Sequence, residues 1–170
     1  MQVKLPRFLL TLSLLLGGAS MANAKQLELE RLFADPALSG TTPRSLTMAP
    51  DGSRVTYLKG KAADANRLDL WQYHIKDGQH SLLVDADSLL SGTETLSDEE
   101  KARRERMRLF ASGIISYSWS KNSDALLFPL NGDLYYYELA GKTAKKLTNT
   151  SEFETDATIS PNGRYVAFIR

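Results

Sequence analysis

No cysteine occurs anywhere in the 170 residues. That excludes disulfides, thiolate metal sites, a cysteine nucleophile and a lipid-modified N-terminal cysteine. Histidine is almost as scarce, with two in the chain, His74 and His80. One falls in a strand-like run and the other after a turn, so no His-rich metal cluster can be built. No Gly-x-Ser-x-Gly elbow and no Gly-rich phosphate loop is present. Long apolar runs are missing too. The longest, Phe8 to Leu16, is about half of the roughly 20 residues a membrane-spanning helix needs. It follows Lys4 and Arg7 and precedes the small-residue site Ala22-Asn23-Ala24, the pattern of a secretory signal peptide over 1–24 cleaved after Ala24. Charge of one sign is lacking as well. The formal balance is +1, and it becomes −1 when Lys4 and Arg7 leave with the leader. Such a chain gives no reason to expect nucleic acid or an anionic membrane as partner. A cofactor or metal is not expected either.

What is present is a repeat. Met48-Ala49-Pro50-Asp51-Gly52-Ser53-Arg54-Val55-Thr56-Tyr57 returns as Trp119-Ser120-Lys121-Asn122-Ser123-Asp124-Ala125-Leu126-Leu127-Phe128. It returns again as Ile159-Ser160-Pro161-Asn162-Gly163-Arg164-Tyr165-Val166-Ala167-Phe168. Each copy is an apolar residue, a tight turn and an alternating strand. Proline presets the first corner, Asp or Asn tolerates the second, and glycine supplies a positive φ. The pairs Val55/Tyr57, Leu126/Phe128 and Val166/Phe168 stand two apart, which predicts a half-buried sheet face.

A second half completes each unit. Asp69-Leu70-Trp71-Gln72-Tyr73 aligns with Asp133-Leu134-Tyr135-Tyr136-Tyr137, and each run is followed by a glycine turn and a closing strand, Ser81–Val84 or Lys145–Thr148. Between strands two and three the first unit loops from Lys59 to Arg67. The second turns through Pro129-Leu130-Asn131-Gly132, where Asn-Gly is a strong two-residue hairpin signal. Four short antiparallel strands in roughly 35–45 residues make a propeller blade. The fold class is therefore all-β: a partial β-propeller over 46–170, with two blades and the start of a third, after a lead-in segment over 25–45. The third copy ends at Arg170 with its strand barely finished, so the chain reads as the front of a longer protein.

An insertion over 85–113 interrupts the repeat. Ser97-Asp98-Glu99-Glu100 reads as a capping box opening a charged helix. Glu99/Arg103 and Glu100/Arg104 stand four apart in the favourable order. The apolar residues Ala102, Met107, Leu109 and Phe110 gather near the end, which predicts packing only at the C-terminal portion. Arginine suits a helix that carries donors toward a carbonyl or carboxylate, because its planar fork bonds them in fixed geometry. Helix capping accounts for Glu99 and Glu100, and alternating aromatics such as Trp71, Trp119 and Tyr135–Tyr137 are read as blade packing.

Two stretches are more specific than the turns. They are Leu27-Glu28-Leu29-Glu30-Arg31-Leu32-Phe33-Ala34-Asp35-Pro36 with Ser39–Arg44, and Leu96-Ser97-Asp98-Glu99-Glu100-Lys101-Ala102-Arg103-Arg104-Glu105-Arg106, supported by Asn66–Trp71. From Lys25 to Arg170 the chain resembles the bacterial dipeptidyl peptidase IV family of the prolyl oligopeptidase group. The resemblance implies a periplasmic or secreted serine exopeptidase that joins an eight-bladed propeller to an α/β-hydrolase domain. Such enzymes remove X-Pro or X-Ala dipeptides from peptide N-termini and are homodimers. It places the catalytic triad beyond Arg170, so no catalytic residue is expected here and the chain alone should be inactive. It places the glutamates that hold the substrate amine in a later propeller segment. An arm arginine binds the substrate carbonyl in that family, and Arg106, with Arg103 and Arg104 as alternatives, is the candidate. A plain propeller scaffold of the TolB type, non-enzymatic and devoted to protein interaction, is the other reading; the charged helix is an interruption such a scaffold would not need.

Overall fold

The computed structural model describes residues 27–34, 37–92, 94–150 and 152–170. The predicted leader and its cleavage site lie outside them. After a short helix α1 (Leu29–Phe33), the first blade is an antiparallel sheet of β1 (Arg44–Met48), β2 (Arg54–Gly60), β3 (Arg67–His74) and β4 (His80–Val84) in sequence order. The insertion follows as a 3-10 turn (Asp87–Leu89), helix α2 (Asp98–Arg106) and a two-residue strand β5 (Ser112–Gly113). The second blade is β6 (Ser118–Trp119), β7 (Ala125–Leu130), β8 (Asp133–Glu138) and β9 (Thr143–Lys146), again in sequence order. A hairpin of β10 (Thr155–Ile159) and β11 (Val166–Ile169) begins the third. This is the expected all-β, propeller-type arrangement. The first strand begins at Arg44, two residues ahead of the expected start.

The repeat is also one of hydrogen bonds. In each turn one residue, Ala49, Ser120 or Ser160, donates its N–H to the strand beyond. The same residue accepts the N–H of Gly52, Ser123 or Gly163 on its carbonyl. Those three positions have φ of 71°, 61° and 70°. The degenerate middle turn therefore keeps its geometry by forcing a serine where glycine is easier. Ser123 also accepts the Asp51 N–H at 2.9 Å on its Oγ, tying the turn of blade 2 to that of blade 1. Asn131 and Gly132, at φ 53° and 88°, form the two-residue hairpin loop that mates with strand twist. Pro129 is not in the turn as expected. It lies in β7 opposite Leu134.

For β7 the half-buried reading is corrected. Ala125, Leu126, Leu127 and Phe128 are each no more than 1% exposed, so β7 is covered on both faces. The reason is stacking. Leu126, Phe128, Tyr135 and Tyr137 face back onto Leu58, Leu70 and Val84 of blade 1, and Phe128 and Tyr135 stack with centroids 5.9 Å apart. Leu134 and Tyr136 face forward, toward Val166 and Phe168. Each fully buried Leu or Phe contributes about 1.5–3 kcal/mol. Trp119 adds a polar tie by donating its indole N–H to Thr56 Oγ1 at 2.9 Å.

Candidate functional site

The arm does not pack as its apolar residues suggested. Met107 is 55% and Phe110 80% exposed, whereas Glu100 and Arg104 are buried. The capping box forms as expected, with Ser97 Oγ accepting the Glu100 N–H at 3.2 Å. The Glu100 side chain then turns inward. It accepts Arg104 Nε at 2.7 Å and Arg103 Nε at 2.6 Å, so Arg103 pairs with Glu100 rather than with Glu99.

These contacts extend into a continuous chain of charge that clamps the arm to blade 1. Arg104 donates Nη2 to Glu94 Oε1 at 3.2 Å and Nη1 to the Ala111 carbonyl at 3.2 Å. Glu94 Oε2 accepts Arg67 Nη1 at 2.6 Å and the Gly113 N–H at 2.8 Å. Arg67 also forks onto Asp87 at 2.6 and 2.9 Å. Asp87 shares Lys61 with Asp69 and Asp85, at 3.2, 3.0 and 2.6 Å respectively. The return strand β5 locks the base of the arm by pairing in parallel with the start of β3. Gly113 sits there at φ 76°, where an added Cβ would lie 2.5 Å from the Leu68 carbonyl oxygen. Among the described residues no buried side-chain nitrogen or oxygen lacks a partner.

The electrostatics follow from these contacts. Burial opposes the charged form of Glu100, but bonds from Arg103 and Arg104 outweigh it and hold its pKa below the ordinary glutamate value. Lys61 bonds Asp85 and Arg67 bonds Asp87, lowering both aspartates. Burial disfavours the Lys61 ammonium, yet its three carboxylates raise its pKa above the ordinary range. Each of these shifts favours the ionised form of its group.

The three candidate arginines fare differently. Arg104 is buried and fully engaged in the clamp. Arg103 is half-buried, bonded to Glu100, with its guanidinium 5.6 Å from the Phe153 ring centroid. Arg106 is exposed in the last turn of α2 and makes no ion pair or hydrogen bond among the described residues. Of the three, it alone has an uncommitted fork.

Two features went unread in the sequence. Glu94, the joint of the clamp, has no motif around it. Asp69 and Asp133 did carry a signal, since they occupy the same position in the two aligned units. Asp69 accepts the Ala86 N–H at 2.9 Å and Asp133 accepts the Thr150 N–H at 3.2 Å. Each ties the third strand of its blade to the segment leaving the fourth. His80 shares a 2.8 Å bond with the Tyr57 hydroxyl on the open face of blade 1.

No protein-family model matches the chain. Among solved structures, the tricorn protease aligns with 79% of this chain and 11% of its own length, at 10% identity and a TM-score of 0.50. The putative TolB from Agrobacterium tumefaciens aligns over 75% of this chain and 37% of its own, at 14% identity and a TM-score of 0.47. Porphyromonas gingivalis dipeptidyl peptidase 4 aligns over 75% and 16%, at 19% identity and a TM-score of 0.46. The chain spans little more than a third of the length of the best-covered of these. The tricorn likeness bears on fold and agrees with the propeller-type stack of blades.

Proposed function

We propose that this chain is the N-terminal propeller portion of a periplasmic or secreted serine exopeptidase that releases X-Pro or X-Ala dipeptides from peptide N-termini. In this reading the nucleophile, base and oxyanion hole belong to an α/β-hydrolase domain of the same polypeptide, and the working enzyme is a homodimer. The contribution of residues 27–170 is to position substrate. One observation carries the proposal. The arm is fixed to blade 1 by buried ion pairs, and that clamp uses Arg104 and Arg103 while leaving Arg106 exposed and unbonded. A rigid arm with one uncommitted guanidinium suits a donor to a peptide carbonyl. The resemblance of 96–106 and 27–44 to the dipeptidyl peptidase IV family supplies the substrate class.

The test is Arg106→Ala in the full-length gene product. Losing a charge-assisted hydrogen bond of about 1.5–3 kcal/mol lowers kcat/KM on an X-Pro substrate roughly tenfold to hundredfold. The melting temperature should stay unchanged, because the exposed side chain makes no ion pair or hydrogen bond among the described residues. Wild-type kinetics for Arg106→Ala would remove the arm from substrate binding. A gene product without peptidase activity would favour the interaction-scaffold reading instead.

A further inference from the structure

Most of the large apolar residues left in water lie in the lead-in or on the first and last strands, among them Leu29, Phe33, Met48 and Ile169. Phe110 lies on none of these. It belongs to the arm, and its ring is 80% exposed although burial of a phenylalanine is strongly favourable.

The exposure does not come from a slack chain. Helix α2 ends in a two-bond cap, in which the Leu109 N–H bonds the Arg104 carbonyl at 2.8 Å and the Arg108 N–H bonds the Glu105 carbonyl at 3.0 Å. Arg108 sits in it at φ 54°, the left-handed position of a Schellman motif that glycine usually fills. On the far side of Phe110 the Ala111 carbonyl accepts Arg104 Nη1, and Ser112 donates its N–H to the Asn66 carbonyl at 2.8 Å. Leu109 is half-buried and Ala111 buried, so the residues on either side turn inward and Phe110 turns out. A backbone pinned on both sides thus presents an aromatic ring to water.

Arg106, the uncommitted arginine, lies four positions before Phe110, so their Cα atoms stand at most about 14 Å apart. The reversal of the chain at Arg108 shortens that span. Met107 falls between them, 55% exposed, with its sulfur accepting Arg103 Nη1 at 3.3 Å. One short, fixed stretch therefore offers a free guanidinium and two apolar side chains. In a peptide, each side chain springs from the carbon beside its own carbonyl. A guanidinium that holds the carbonyl of the first residue brings that residue's side chain to the arm as well.

We propose that Phe110, with Met107 beside it, receives the side chain of the substrate's first residue, so that the enzyme selects X-Pro and X-Ala peptides in which X is large and apolar. This inference rests on the exopeptidase reading above. A ring and a thioether suit leucine, methionine or phenylalanine at X, because apolar area leaves water on both partners and no polar group is stranded. Glycine at X has nothing to place there.

Steady-state kinetics of the full-length gene product on Leu-Pro, Phe-Pro and Gly-Pro p-nitroanilides tests this. The wild type should favour the first two over Gly-Pro in kcat/KM. Phe110→Ala should lower that preference about fivefold to tenfold. Phe110→Leu, which keeps an apolar surface, should restore most of it. Circular dichroism should show both variants folded as the wild type, since the ring is 80% exposed. A preference unchanged in Phe110→Ala would overturn the proposal. So would an equal loss on all three substrates, which would assign the ring to packing rather than to substrate. Either result leaves the exopeptidase reading standing. Failure of the wild type to hydrolyse any of the three would remove that reading and this inference together.

Discussion

Replacing Arg104 by methionine isolates the clamp. Methionine keeps much of the stem volume and removes the fork, which donates to Glu100, Glu94 and the Ala111 carbonyl. Stranding one partner of a buried pair typically costs about 3–5 kcal/mol. Here neither carboxylate is stranded. Glu94 keeps Arg67 and the Gly113 N–H, and Glu100 keeps Arg103. The loss is then two charge-assisted bonds and one carbonyl bond, partly offset by the desolvation that Arg104 no longer suffers. We expect about 2–3 kcal/mol. The cost should be local to the arm, so the assay is native-state amide exchange at Leu109 and Gly113, whose N–H groups bond Arg104 O and Glu94 Oε2. Their exchange should accelerate about 30- to 150-fold, at 1.4 kcal/mol per tenfold. Amides of β7 and β8 should be unaffected. Acceleration below about threefold at both positions would refute the view that this chain of charge holds the arm.

Acid should release the same clamp. The folded pKa of Glu100 lies below its unfolded value, so its contribution is complete above about pH 4.3 and disappears as pH falls through the folded value. Thermal melts of wild type and Glu100→Gln should therefore differ at neutral pH and converge as pH drops below about 4. Gly113→Ala should cost about 1–3 kcal/mol from its positive φ alone, and more from the approach to Leu68 O, read by denaturant unfolding. Trp119→Phe removes the bond to Thr56 Oγ1, which still donates to Thr47 O. A loss of about 0.5–1.5 kcal/mol is expected in the same assay.

The blades were legible because their turns impose backbone demands that few residues meet. Asn131-Gly132 and Asp51-Gly52 announce positive φ directly, and even Lys121-Asn122-Ser123-Asp124 kept enough polar corner to be recognised. Two-sided burial was harder to see, since Thr56 looks like the solvent half of an alternating strand. Only the neighbouring sheet makes it interior. The arm was misjudged for a related reason. Glu and Arg four apart usually mark a wet helix face, and no local pattern tells that Glu94 and Arg67, 27 positions apart, will roof the pair. The capping box was legible because it is wholly local. Which arginine stays uncommitted emerged only once the clamp had taken the others.

The clamp also sets how the arm responds to heat. Lifting α2 would hydrate carboxylates and guanidiniums while uncovering little hydrocarbon, since Met107 and Phe110 already face water. Polar exposure lowers heat capacity where apolar exposure raises it. Arm release therefore carries a small or negative heat-capacity change, and separation of the blades a large positive one. The hydration that ion pairs forgo also becomes less favourable on warming. The two attachments consequently respond differently along the temperature axis: cooling weakens the greasy contact between blades more than the clamp, and warming erodes the clamp less steeply.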